Sequence, residues 1–154
     1  MPTLDYTGDG DTTAVHPFSA QAKNVCYYRR LTVSDIIAAD STMTSNEYIA
    51  QNDIIQAIDV PAGFVFDKAV LRIITACSSN VNVEVGDAGG AEAIASFDAD
   101  GAAGTCTCTI ETDSWAGGKV FTSADTIDVQ FITANCSAGD LELWVFGKVL
   151  TLGS

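Results

Sequence analysis

Residues Asp53–Gly86 read DIIQAIDVPAGFVFDKAVLRIITACSSNVNVEVG. Three β-strands in succession are expected here. Ile54, Ile55, Ile58 and Val60 alternate imperfectly, and Pro61-Ala62-Gly63 then breaks the run. A proline with a glycine two residues on suits the central positions of a turn. Phe64–Thr75 is the longest strand candidate. Its apolar residues fall on both parities, which is the pattern of a strand buried on both faces for part of its length. Val81, Val83 and Val85 alternate with Asn82 and Glu84, so that strand has one wet face.

Other short β-patterned runs lie on both sides of this stretch. Lys23–Val33 is rich in aromatic and β-branched residues, as strands are. Ala91–Phe97 is a weaker strand. Thr105–Glu111 alternates threonine with Cys106, Cys108 and Ile110, and the apolar set is expected to face inward. Thr126–Thr133 and Asp140–Val149 close the chain. Ser34 is a candidate N-cap for a single helical turn over Ile36–Ala39, with Asp35 in its first turn. The fold class that follows is all-β, an antiparallel β-sandwich or jelly-roll. Residues 1–22, polar and without period, are read as an extended N-terminal arm on a 23–154 sandwich domain. Such an arm is loosely ordered alone and is pinned to a body or a neighbour by Tyr6 and Phe18.

Two segments echo each other. Ile74-Thr75-Ala76-Cys77-Ser78 leads into Val81–Gly86, and Ile132-Thr133-Ala134-Asn135-Cys136-Ser137 leads into Leu141–Gly147. Each is strand, polar turn, strand. The expectation is a pair of related hairpins, one in each of two sheets.

At 154 residues the chain is long enough to bury one core without staples. Hydrophobic residues make up 47% and charged residues 18%, so it is not a disordered polymer. Twenty acidic residues against seven basic ones give a net charge of −13. That balance argues against a nucleic-acid partner, which needs a basic face. No apolar run has the length of a membrane span. Met1–Gly10 has neither the positive nor the apolar region of a secretory signal, so a cytoplasmic origin is expected.

Candidate chemistry is sparse. His16 is the only histidine and has no triad or metal partner. Asp98-x-Asp100-Gly101 and Asp9-Gly10-Asp11 resemble fragments of calcium loops, but position 12 counted from Asp98 is Thr109 rather than glutamate. Both are read as turns. Cys106-x-Cys108 lacks the spacing of a zinc knuckle or a redox motif. The five cysteines are an odd number and are read as buried thiols. No catalytic residue, cofactor or metal is expected, and the chain is not read as an enzyme. Lys23, Arg29 and Arg30 are three of the seven basic residues. They either guard an edge strand against pairing or make an electrostatic contact with an acidic neighbour. Trp144 is read as core, and Trp115, beside glycines, as the surface tryptophan.

The segments Tyr28–Asp35, Asp53–Val65, Val83–Gly90 and Phe121–Val129 carry a resemblance. In order they read strand, Pro-Ala-Gly turn, strand, Val-Gly-Asp loop and Ala-Asp-Thr-Ile. Together they resemble small tailed-phage virion proteins, in particular head decoration or cement proteins. The resemblance implies a homo-oligomer, with a trimer favoured, bound to the outer surface of a shell of major capsid protein. It implies location in the virion on the capsid surface, with assembly in a host cytoplasm. The contact residues expected on this reading are Tyr6, Phe18, Lys23, Tyr27, Arg29 and Arg30. A rival reading is a carbohydrate-binding or adhesive β-sandwich on a tail or fibre.

Overall fold

A computed structural model describes residues 3–5, 22–39, 47–78, 80–87, 90–109 and 119–150. Among these described residues nine strands and one helix run in the order β1 (Thr3–Asp5), β2 (Ala22–Thr32), α1 (Val33–Ala39), β3 (Ile54–Val60), β4 (Phe64–Thr75), β5 (Asn82–Asp87), β6 (Gly90–Asp98), β7 (Cys106–Thr109), β8 (Asp125–Ile132) and β9 (Asp140–Leu150). They form two sheets, one ordered β1-β3-β8-β5-β6 and the other β2-β9-β4-β7. The chain is an all-β sandwich. Every strand pair is antiparallel except β1, which runs parallel to β3. Part of the expected arm is therefore an edge strand. Among the described residues no helix is long and apolar enough to cross a membrane.

Period-2 patterning sets the core. From the five-stranded sheet, Ile55, Val83, Val85, Ile127, Val129 and Phe131 turn inward. From the four-stranded sheet, Leu31, Phe64, Leu71, Ile73, Leu141, Leu143 and Val145 meet them. Each of these side chains is at most 2% exposed and all belong to one cluster. At about 25 cal/mol per Å² of apolar surface removed from water, this layer is the main source of stability.

The boundaries of β4 match the sequence expectation, but three details differ. The helix begins at Val33, so Ser34 lies inside it and does not cap it. The turn after β3 closes with the Phe64 N–H donating to the Pro61 carbonyl at 3.1 Å, which puts Pro61 at the first turn position. The echoed segments are not hairpins. β4 and β5 lie in different sheets, as do β8 and β9. Each unit is an arch that crosses from one sheet to the other. The arches stack head to tail, β4 against β9 and β5 against β8.

The two crossovers meet at one end of the sandwich. The Ser78 N–H donates to the Ala138 carbonyl at 3.0 Å, and the Ser137 N–H donates to Ser78 Oγ at 3.1 Å. Gly139 has φ 148°, and a Cβ there would stand 2.6 Å from Cys77 Sγ and 2.9 Å from Cys77 Cα. Only glycine allows that approach.

Candidate functional site

Among the described residues β2 is an outer strand of its sheet, with β9 as its neighbour. Its side chains alternate. Val25, Tyr27, Arg29 and Leu31 are buried, whereas Asn24 and Arg30 are exposed and Cys26 and Tyr28 half-buried. Tyr27 stacks edge-on against Phe64 with ring centroids 5.5 Å apart. Arg29 is 2% exposed. Of the six expected contact residues, these two therefore face the protomer's own interior. Arg30 lies on the outer face. Lys23 lies in β2 opposite Val149. Tyr6 and Phe18 lie outside the described residues, as do His16 and Trp115.

The outer face of this sheet carries rows that cross three strands. Tyr28, Trp144 and Val70 are register partners, and so are Arg30, Glu142 and Arg72. Tyr28 packs on Trp144 with centroids 5.1 Å apart, and its hydroxyl donates to Glu142 Oε1 at 3.0 Å. Arg30 Nε donates to Asp140 Oδ1 at 2.9 Å, and a second guanidinium nitrogen reaches Asp140 Oδ2 at 2.5 Å. Arg72 pairs with Glu142 at 3.3 Å. Lys68 Nζ stands 5.1 Å from the centre of the Phe146 ring. Trp144 thus belongs to a half-buried outer face, which corrects its expected place in the core.

Exposure separates the charges of each pair. The side chains of Arg30 and Arg72 are 55% and 48% exposed, but those of Asp140 and Glu142 are 13% and 14% exposed. The carboxylates lie low on the sheet and the guanidinium groups stand above them. In a chain of net charge −13, this face offers cationic tips around an aromatic pair. The Arg30 guanidinium also holds the Asp140 carboxyl below the usual carboxylate range. Arg72, Trp144 and Tyr28 were missed by reading the basic residues of β2 as one cluster. The alternating parity of β2 and β9 is the signal that finds them.

Other candidates resolve differently. Cys106 and Cys108 are exposed, and they pair with Arg72 and Val70 of the outer face. They do not point inward, because the register of β7 on β4 sets them on the parity of Val70 and Arg72 and not on that of the buried Leu71. Asp98 and Asp100 form a turn. The Asp100 N–H donates to Asp98 Oδ1 at 3.1 Å, and the Asn80 N–H donates to Asp100 Oδ2. A hydrogen bond between the two carboxyls raises the pKa of Asp98 and lowers that of Asp100. An open cleft of about 520 Å³ is lined by Tyr27, Asp59, Val60, Pro61, Ala124, Asp125 and Thr126. Among the described residues no group of three or more metal-ligating side chains converges.

The same fold occurs in chains of three phage capsids. A chain from the capsid of Ralstonia phage GP4 superposes with a TM-score of 0.64 at 14% identity, covering 99% of this chain and 100% of that one. A chain from the cyanophage Pam1 capsid asymmetric unit gives 0.57 at 14% identity, over 89% and 92%. A chain from the acidic stable capsid of Helicobacter pylori bacteriophage KHP30 gives 0.51 at 13% identity, over 82% and 92%. No protein-family model matches the chain, and no curated protein matches it. At these identities the shared property is the fold.

Proposed function

We propose that this protein is a structural component of a phage virion, and more specifically a decoration or cement protein on the outer surface of the capsid. The observation that carries the reading is the GP4 capsid chain, whose fold matches across 99% of this chain and all of its own length. The site chemistry agrees with it. A cement protein acts by surfaces and needs a rigid body with patches complementary to the shell. The outer face of the β2-β9-β4-β7 sheet supplies such a patch, with Arg30 and Arg72 as cationic tips around Tyr28 and Trp144. The partner is the major capsid protein, met through an acidic and partly apolar surface. Tyr6, Phe18 and Lys23 extend the contact, while Tyr27 and Arg29 hold β2 from behind.

The mechanism is linkage. A protein that binds only the expanded shell stabilises it by RT ln(1 + [L]/Kd). Many copies around local symmetry axes add avidity. A homo-oligomer, with a trimer favoured, would present several patches at once.

The direct test is thermal release of DNA from capsids lacking the protein, with and without its addition. Added protein should raise the release temperature and co-sediment with the shells. No binding to shells would remove the reading. Deleting residues 1–22 is a poor probe, because it also removes β1. Substitution of Tyr6 and Phe18 by alanine probes the arm more cleanly.

One observation favours the rival reading of a glycan-binding sandwich. Trp144 and Tyr28 form a half-buried aromatic pair on a sheet face, as sugar-stacking platforms do. Retention on a glycan array that is lost with Trp144→Ala, without binding to shells, would select it.

A further inference from the structure

The junction of the two crossovers holds two of the five cysteines. Cys77 follows β4 and is 6% exposed; Cys136 precedes β9 and is fully buried. Cys77 Sγ lies against Gly139, where an added Cβ would stand 2.6 Å from it. The Cys136 thiol donates to the Ala138 carbonyl at 3.2 Å, the same carbonyl that accepts the Ser78 N–H at 3.0 Å. Ser78 Oγ donates to the Asn135 carbonyl at 3.3 Å. The two backbones are thus fixed around the pair by bonds that do not involve both sulfurs.

We propose that Cys77 and Cys136 are a reversible disulfide site that locks the two arches together when the protein meets a peroxide. Three observations carry this. Cys77 Sγ lies against Gly139, and Cys136 Sγ lies 3.2 Å from the carbonyl of Ala138, the residue before that glycine, so both thiols sit at one junction and bridging them brings no distant elements into range. Gly139 lets the β8–β9 crossover lie against Cys77 at a distance no other residue permits. The two cysteines also differ in acidity. Hydrogen bonds from Cys77 and Ser78 hold the Cys136 thiol at about 7, below its ordinary value, whereas the Cys77 thiol is pushed up by its bond to Cys136 and by burial. The direction of these shifts makes Cys136 the sulfur that attacks and Cys77 the resolving thiol.

The chemistry balances with hydrogen peroxide as oxidant. The Cys136 thiolate attacks one peroxide oxygen and the O–O bond breaks. Hydroxide leaves and takes up a proton as water, and Cys136 becomes a sulfenic acid. Cys77 then loses its proton and attacks the Cys136 sulfur. The S–O bond breaks, the S–S bond forms and a second water leaves. Two thiols and one peroxide give one disulfide and two waters. A thiol reductant reverses the bond.

The bond would close a loop of about 60 residues, a length at which a disulfide strongly restricts the unfolded chain. It would join the one point where both arches change sheets. The proposal concerns the body of the protein and does not depend on what the protein binds.

The test uses the full chain with Cys26→Ser, Cys106→Ser and Cys108→Ser, which removes the three thiols that are exposed or half-buried. One equivalent of hydrogen peroxide should lower the mass by about 2 Da, the loss of two hydrogens. Peptide mapping should then show a Cys77–Cys136 link, and Tm should rise by roughly 5 to 10 °C. Dithiothreitol should return both mass and Tm. The same linked peptide should form in the unsubstituted chain. Two thiols that still titrate after denaturation overturn the proposal. So does oxidation of one cysteine to a sulfinic acid without a link, and so does a link that leaves Tm unchanged.

Discussion

Gly147 lies beneath the ring of Phe64, and a Cβ added to it would stand 2.6 Å from Phe64 Cζ and would meet the Val65 carbonyl oxygen as well. The register places Gly147 on the inner face of β9, between Val25 of β2 and Phe66 of β4. The ring fills the space that a side chain there would occupy and goes on to meet Tyr27 and Phe121.

Gly147→Ala should therefore be costly. Backbone lies on one side of the added methyl and a core ring on the other, so neither can yield cheaply. Overpacking of this kind costs about 3 kcal/mol. In a domain of this size that lowers Tm by roughly 6 to 12 °C. A thermal melt followed by circular dichroism measures it, and a change under 2 °C would contradict the packing described.

Thr133 has φ 76°, and the Ala134 N–H donates to the Ile132 carbonyl at 2.9 Å. This is a γ-turn of the strained hand, with a β-branched residue at its centre. Thr133 is exposed, so its side chain adds little packing. Thr133→Gly removes the steric conflict and should raise Tm by roughly 2 to 4 °C, the effect of about 1 kcal/mol. A lower Tm would show that the entropy of the added glycine outweighs the relief.

Asp128 sets a pH dependence. It is 2% exposed on the outer side of β8 and accepts a bond from Thr126 Oγ1 at 2.7 Å. Burial pushes its carboxyl up to about 6, and the nearby Asp125 charge adds to the shift. The folded state then holds this proton more tightly than the unfolded chain does. Its contribution to stability is full below the unfolded value of 3.8 and is lost as pH rises through about 6. Asp128→Asn should raise Tm by roughly 2 to 6 °C at pH 7.5. The gain should vanish at pH 4. Melts of both proteins across that range check the sign, and a gain independent of pH would count against it.

The arginine tips supply the prediction tied to function. Exposed ion pairs contribute about 0 to 1 kcal/mol each, so Arg30→Gln with Arg72→Gln should leave Tm within about 4 °C. Shell binding should fall at least about tenfold, the effect of roughly 1.4 kcal/mol. It should also lose part of its salt dependence. Co-sedimentation at two salt concentrations measures both. Unchanged binding would place the contact on another face.

Much of the sandwich is legible from local pattern. Phe64–Thr75 carries its strand limits on its surface, with a proline-containing turn before it and small polar residues after it. Facing is harder to read. The row Val25, Tyr27, Arg29, Leu31 has a clear inward parity, and Arg29 follows it against its charge. Glu142 and Lys148 mark the outer parity of β9, and Trp144 shares it. At Cys106 and Cys108 the alternation is equally clear but misleads, because a strand at the sheet's edge need not bury either face. Partnership across the sheet is the least legible property. The pairing of β1 with β3 depends on register between segments some fifty residues apart, which no local pattern encodes.

The position of the last two strands has a consequence for how the protein is made. β8 is flanked by β3 and β5, and β9 by β2 and β4. Among the described strands β2 has β9 as its sheet neighbour, which it cannot gain until residues 140–150 have been synthesised, whereas the five-stranded sheet waits for β8 at residues 125–132. Completion of the sandwich therefore waits for residues 140–150, and loop closure over more than a hundred residues makes it slow. A chain synthesised only as far as residue 139 has no β2-β9-β4 face to offer.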